Sequence, residues 1–122
     1  MGWSSIYTLS CSEISYRVSA GLDGIYVIFG DRDARPLYYG RSDGGPNSCI
    51  RKRLLAHADF TKPESGYKGN KIIRMLLKSG DEGTLRFQYK ECKDTRFEES
   101  VFIRDGLPIA NRRRELKPFN LD

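Results

Sequence analysis

The sequence has few of the features that indicate disulfides, zinc sites or membrane spans. Its three cysteines, Cys11, Cys49 and Cys92, are odd in number and far apart, and no Cys-x-x-Cys pair is present. This pattern indicates neither a disulfide framework nor a zinc site. No apolar run approaches the length of a membrane span, and the polar residues 1–20 do not resemble a secretory signal. We therefore expect a reduced, cytoplasmic chain with no membrane partner.

Length and composition are those of one small globular domain. The chain has 122 residues, of which 39 % are hydrophobic and 30 % charged, so we expect a single folded domain over residues 1–122. Basic residues outnumber acidic ones by 21 to 16, and the resulting charge of +5 favours a polyanionic partner. Two basic clusters stand out, Arg51–Arg53 and Arg112–Arg114. The alternative interpretation of each is a solvated basic face.

Alternating side chains predict a β-hairpin in the first third of the chain. In one run Ile25, Val27 and Phe29 fall on one face, and Tyr26 and Ile28 on the other. A turn-rich connection follows, and the chain returns as a second strand. The two predicted hairpin strands are 25–29 and 37–41, and 85–90 is a third predicted strand. The alternation of residues 14, 16 and 18 could add an N-terminal edge strand.

Helical periodicity and capping residues predict three helices. The predicted helices and their N-caps are 49–58 after Asn47 or Ser48, 71–78 after Asn70, and 95–104 from Thr95. In the second helix the apolar residues expected to face a core are Ile72, Ile73, Leu76 and Leu77. The resulting fold class is α/β of the α+β type, with a small three-stranded antiparallel sheet flanked by helices.

Four side chains with useful chemistry lie on these predicted elements. Tyr26 and Tyr38 are on adjacent strands, so the two phenols could meet across the hairpin. Arg53 and His57 are four residues apart on one helix and therefore share a face. His57 is the single histidine and is expected away from the apolar stripe of its helix, where an imidazole could accept a proton near neutral pH. Each residue also has a structural interpretation, since strand tyrosines and lone histidines are more often structural than catalytic.

The C-terminal third adds a carboxylate and an amide to these four candidate site residues. Glu98 and Glu99 lie near the start of the third predicted helix, where a carboxylate can also simply stabilise the helix dipole. A single carboxylate suits Mg²⁺, which keeps most of its waters and takes other ligands from substrate phosphate. Asn111 could orient the glutamate or a metal-bound water, although a loop asparagine is ordinarily a turn former. Together these parts are those needed to cut a phosphodiester with one metal ion.

The order of these residues resembles the GIY-YIG nuclease superfamily. Its name motifs are matched by Gly24-Ile25-Tyr26 and, with tyrosine at the centre, by Tyr38-Tyr39-Gly40. The family carries an arginine on its first helix, in many members a histidine four residues later, then a metal-binding glutamate and an asparagine. The matching residues are Arg53, His57, Glu99 and Asn111, and the resemblance covers about residues 22–112. Arg51, Glu98 and Asn120 are the competing choices at three of these positions.

The resemblance implies a metal-dependent phosphodiesterase. Tyr26 would act as the general base toward water, with His57 receiving or relaying its proton, and Tyr38 would support the nucleophile or the scissile phosphate. Arg53 would clamp the phosphate, and one Mg²⁺ ion on Glu99, replaceable by Mn²⁺, would neutralise the leaving oxygen. The catalytic set is Tyr26, Tyr38, Arg53, His57, Glu99 and Asn111, with Glu99 as the metal ligand.

The resemblance implies DNA as the partner, with duplex DNA expected before other forms. Binding to RNA and a homodimer on DNA stay open. The candidate nucleic-acid contacts are Arg41, Arg51, Lys52, Arg112, Arg113 and Arg114. The expected function is a DNA endonuclease. Two alternatives stay open: a non-catalytic nucleic-acid-binding protein that keeps the fold, and a nuclease toxin. No appended DNA reader is evident, so loops 43–48 and 61–69 would supply any sequence preference.

Overall fold

Seven elements form the part of the chain that the computed structural model describes, residues 2–31, 36–42, 48–63 and 68–93. In chain order they are β1 Tyr7–Thr8, α1 Cys11–Arg17, β2 Gly24–Phe29, β3 Pro36–Ser42, α2 Ile50–Ala58, α3 Lys68–Ser79 and β4 Arg86–Glu91. The helix predicted over 95–104 lies outside these ranges. Among the described helices, none is long and apolar enough to cross a membrane.

The strands form one antiparallel sheet in the order β1-β4-β2-β3. The predicted hairpin is confirmed as the β2–β3 pair, and the third predicted strand is β4, which pairs with the other side of β2. Tyr26 therefore lies in an inner strand, opposite Gly40 on one side and Tyr89 on the other. The α+β class is confirmed, but the sheet has four strands where three were predicted.

The fourth strand comes from the N-terminal segment, at a different place from the one the alternation suggested. Tyr7–Thr8 pairs with β4 at the sheet edge, whereas the segment around residues 14–18 belongs to α1 and its C-terminal end. The Ser10 side chain accepts a hydrogen bond from the Glu13 amide at 3.2 Å, which caps α1. Ile14 and Val18 are both buried, and their four-residue spacing fits one helix face as well as it fits a strand.

The N-caps predicted for the first two helices are wrong, although both helices are present as α2 and α3. Thr95, the predicted cap of the third helix, lies outside the described residues. The N-cap of α2 is Cys49, which makes no side-chain cap bond. Ser48 does not cap the helix; its hydroxyl lies 3.1 Å from that of Ser42, which joins the end of β3 to the start of α2. Asn47 lies outside the described residues. α3 begins at Lys68, so Asn70 lies in its first turn rather than at its cap.

The main hydrophobic core lies between the helices and one face of the sheet. The predicted core face of α3 is confirmed, with Ile73 fully buried and Ile72, Leu76 and Leu77 packed on the core. Tyr26 and Ile28 belong to this core, while Ile25 and Val27 on the opposite side of β2 are buried as well. Both faces of β2 are therefore buried, and the face with Tyr26 and Ile28 belongs to the main core. The core consists of Leu9, Ile14, Val18, Tyr26, Ile28, Leu37, Tyr38, Ile50, Leu54, Ile73, Leu85 and Phe87.

Candidate active site

The candidate site is centred on a hydrogen bond between Tyr26 and His57. The Tyr26 hydroxyl lies 3.0 Å from His57 Nε2. Tyr26 comes from the middle of β2 and His57 from the last turn of α2, so the contact exists only because that helix packs on the sheet. Both side chains are buried, with Tyr26 2 % and His57 3 % exposed.

Tyr38 joins this pair and makes a three-ring cluster. Its ring centroid lies 6.0 Å from that of Tyr26 and 5.3 Å from that of His57. In the β2–β3 register Tyr38 is opposite Ile28, and Tyr26 is opposite Gly40. The two tyrosines are therefore diagonal neighbours on the same face of the hairpin. The prediction that they meet is confirmed.

Two glycines make room for the tyrosine rings. A Cβ atom at Gly40 would collide with the phenol end of Tyr26, and a Cβ atom at Gly69 would collide with the ring of Tyr38. Gly40 closes the second name motif, so its identity has a local reason: any larger residue would occupy the space of the candidate base. Gly69 lies in the first turn of α3, which lets that helix approach the sheet closely.

His57 lies on the buried stripe of α2, contrary to the expectation that it would point away from it. The buried residues of α2 are Ile50, Leu54 and His57, whose spacing of four and then three residues places them on one helix face. Burial, followed by the charges of Arg53 and Arg74, lowers the pKa of His57 from 6.5 to about 3. The imidazole is therefore neutral at physiological pH.

Asn70 is a neighbour of His57 for which the sequence predicted only a helix-capping role. Its side-chain nitrogen Nδ2 lies 3.1 Å from His57 Nδ1 and donates to the Ala56 carbonyl oxygen at 2.9 Å. Asn70 is 3 % exposed, which is unusual for an asparagine unless its polar atoms are paired. Because Asn70 directly precedes an apolar helical pattern, its position in the sequence indicates an N-cap and gives no sign of the contact with His57.

Two arginines lie close enough to His57 to influence its titration. Arg53 is half-buried one turn before it on α2, as the sequence predicted. Arg74, which the sequence analysis did not single out, is buried one turn after Asn70 on α3. The Arg74 guanidinium donates to the Lys62 carbonyl at 3.1 Å and stacks over Phe60 at 5.0 Å. The described part of the site is therefore neutral at its centre and positive around it.

The predicted nucleic-acid contacts occupy different positions relative to this cluster. Arg51 is half-buried and Lys52 is exposed in the first turn of α2. Arg41 follows Gly40 on β3 and pairs with Ile25, so strand alternation places its side chain on the face opposite Tyr26 and Tyr38. The structure does not bring Arg41 to the tyrosine pair.

The remaining predicted site residues lie outside the described ranges. They are Glu99 and its competitor Glu98, Asn111 and its competitor Asn120, and Arg112, Arg113 and Arg114. Within residues 2–31, 36–42, 48–63 and 68–93, no three His, Cys, Asp or Glu side chains come together in a group that could hold a metal ion. The metal ligand predicted from the sequence is not among these residues.

Comparison with models of known protein families, with curated proteins and with solved structures found no match to this chain. The resemblance to GIY-YIG nucleases therefore stays a prediction from the motif residues. What the structure adds is the spatial grouping of Tyr26, Tyr38 and His57, with Arg53 one helical turn away.

Proposed function

We propose that this protein is a GIY-YIG-type endonuclease that hydrolyses DNA phosphodiester bonds, with Tyr26 as the general base. The observation that carries the proposal is the buried 3.0 Å hydrogen bond between the Tyr26 hydroxyl and His57 Nε2. Tyr26 and His57 are 31 positions apart in the sequence and lie on different elements, so their contact depends on how α2 packs on the sheet. A phenol that is hydrogen-bonded to an imidazole and lies beside arginines suits a general base acting next to a phosphate.

In the proposed reaction Tyr26 loses its phenolic proton to solvent and acts as the phenolate. The phenolate takes a proton from a water molecule as the water oxygen bonds to phosphorus. The bond between phosphorus and the leaving sugar oxygen then breaks, and that oxygen is protonated by solvent. Arg53 holds non-bridging phosphate oxygens and stabilises the charge that develops on them. Tyr38 supports the attacking water or the phosphate by a hydrogen bond.

Magnesium has one proposed protein ligand, Glu99. One carboxylate is enough for this ion, because Mg²⁺ keeps several waters and binds substrate phosphate. When bound, it would supply neutralisation of the leaving oxygen.

Cleavage of supercoiled plasmid by the purified protein tests the proposal. We expect nicked or linear product with Mg²⁺, and none with EDTA. Tyr26→Phe removes only the hydroxyl, so it should lower the cleavage rate by roughly 10²- to 10⁴-fold, the contribution typical of a general base. Tyr16→Phe is the matched control, since Tyr16 is 77 % exposed on α1 and its loss should leave the rate unchanged. Equal rates for the Tyr26 variant and the parent protein would contradict the base assignment.

The non-catalytic alternative is favoured by one observation, the low exposure of Tyr26. A buried phenol that only packs and bonds to His57 would suit a nucleic-acid-binding protein that keeps this fold. The same plasmid experiment separates the two functions. A mobility shift without any Mg²⁺-dependent cleavage would support binding alone.

A further inference from the structure

The position of the Asn70 amide determines which of its atoms faces His57. The same nitrogen, Nδ2, is within hydrogen-bond distance of the Ala56 carbonyl oxygen and of His57 Nδ1, at 2.9 and 3.1 Å. A carbonyl oxygen can only accept, so the Asn70 atom that faces it must be the NH₂ group. The two hydrogens of that group are enough to serve both neighbours.

It follows that His57 Nδ1 is a hydrogen-bond acceptor and carries no hydrogen. A neutral imidazole has one hydrogen, which must then be on Nε2, the atom 3.0 Å from the Tyr26 hydroxyl oxygen. We infer that Asn70 is a positioning residue that holds His57 in the Nε2–H tautomer, so that His57 donates a hydrogen bond to the phenol oxygen of Tyr26.

This direction is the reverse of the proton transfer expected from the sequence. An Nε2 atom that already carries hydrogen cannot take the phenolic proton of Tyr26. A donor on the phenol oxygen favours the phenolate instead, so His57 would stabilise the base form of Tyr26. This consequence rests on the proposed nuclease function, whereas the tautomer itself does not.

The groups around His57 also disfavour a second hydrogen on its ring. Tyr26 and Tyr38 contact it from the sheet, and the positive charges of Arg74 on α3 and Arg53 on its own helix act on it. An imidazolium would place an N–H group against the Asn70 NH₂ group and a positive charge near both guanidinium groups. The neutral tautomer avoids both repulsions.

Nitrogen-15 NMR identifies the tautomer of His57 without ambiguity of assignment, because His57 is the single histidine in the chain. In long-range proton–nitrogen spectra at pH 7 we expect one set of signals with a protonated Nε2 and an unprotonated Nδ1. Asn70→Asp replaces the donor by an acceptor of the same shape, so it should move the hydrogen to Nδ1 or protonate both nitrogens. Asn70→Leu removes the donor and should give a mixture of tautomers.

Gln88→Glu is the matched control for an amide-to-carboxylate change. Gln88 lies on β4 and donates to the Ser4 carbonyl at 2.8 Å, so this variant should leave the His57 signals in place. A protonated Nδ1 in the parent protein, or unchanged signals in folded Asn70→Asp, would overturn the inference. If neither Asn70 variant folds, the parent spectrum decides by itself.

Cleavage assays test the functional part. Asn70→Asp should lower the turnover rate by roughly 10- to 100-fold, as loss of hydrogen-bond partners does for histidines that ligate metals, with little change in KM. A changed spectrum with an unchanged turnover rate would overturn the positioning role. If the parent protein cleaves no plasmid, the nuclease proposal fails and the parent spectrum still decides the tautomer.

Discussion

At the scale of single residues, the burial of His57 explains its unusual titration. An exposed histidine titrates near 6.5, but burial and two neighbouring guanidinium groups lower the pKa of His57 to about 3. The protonated form is therefore disfavoured in the folded state relative to the unfolded chain. A neutral imidazole can keep a defined hydrogen-bond direction toward Tyr26 across the physiological pH range.

The same shift predicts an acid-sensitive contribution to stability. Between pH 6.5 and about 3 the unfolded chain binds a proton at this residue and the folded protein does not. The free energy of unfolding should therefore fall by about 1.4 kcal/mol for each pH unit below 6.5 on account of His57. Above pH 6.5 the residue should cause no pH dependence. Urea unfolding of the parent protein and of His57→Gln, from pH 7.5 to 4.5, measures the difference in slope.

Comparing the two proteins removes the contribution of the carboxylates, which both share. Parallel stability curves below pH 6.5 would mean that His57 is protonated as easily in the folded state as in the unfolded chain. Such a result would also remove one reason for its neutral tautomer.

At the scale of elements, α2 and α3 are joined at the site by one side chain. Ala56 lies in the last turn of α2, where backbone carbonyls lack partners within the helix. Asn70 from the first turn of α3 donates to that carbonyl and to the adjacent His57 ring. The bond that satisfies a helix end thus also orients the candidate catalytic histidine.

In the β2–β3 hairpin, the position of the Tyr26 ring requires a glycine at residue 40. Gly40→Ala would place a Cβ atom against the phenol end of Tyr26, so the ring or the strand must move. We expect a loss of about 1–3 kcal/mol in the free energy of unfolding, typical of overpacking. The cleavage rate should fall by more than the loss of folded protein explains, because the Tyr26–His57 hydrogen bond is displaced. Thermal or urea unfolding together with plasmid cleavage at a temperature where both proteins are folded measures this.

Gly2→Ala is the control for that substitution. A Cβ atom at Gly2 meets nothing within 4 Å, so both stability and cleavage should stay at the parent level. Full activity of Gly40→Ala would show that the position of the Tyr26 hydroxyl is not critical, which would count against its role as the base.

At the scale of the whole molecule, charge is expected to govern nucleic-acid affinity. The net charge is +5, and each lysine or arginine that contacts a phosphate adds about 0.9 to the slope of log affinity against log salt on duplex DNA. Replacing Arg112, Arg113 and Arg114 with alanine should therefore weaken binding and flatten that slope by up to about three units. Fluorescence anisotropy with a labelled duplex at several salt concentrations measures the slope.

A charge-matched variant separates position from net charge. Lys71, Lys78 and Lys93 are exposed and lie outside the predicted DNA contacts, and their triple alanine variant lowers the net charge by the same amount. If both triple variants flatten the slope equally, affinity follows net charge rather than the 112–114 cluster. If the arginine variant leaves the slope unchanged, the cluster is away from the DNA path.

Local patterns were enough to predict much of the fold. The hairpin, β4 and the inward face of α3 follow from periods of two and 3.6 residues, which the chain expresses without help from distant contacts. The segment around residues 14–18 was predicted wrongly because the spacing of Ile14 and Val18 fits both a strand and a helix. The hydrogen bond of the Ser10 side chain to the Glu13 amide stabilises the helix at its N-terminus. The two-residue strand β1 is too short to show any period, so only its pairing with β4 reveals it.

By itself, the sequence determined the chemical identities in the candidate site: two tyrosines on neighbouring strands, and an arginine and a histidine one helical turn apart. Tertiary structure alone decided that His57 faces inward, that burial lowers its pKa and that Asn70 contacts its second nitrogen. Asn70 and His57 are 13 positions apart on different helices. Their contact depends on how two helices pack on a sheet, and no local periodicity contains that information.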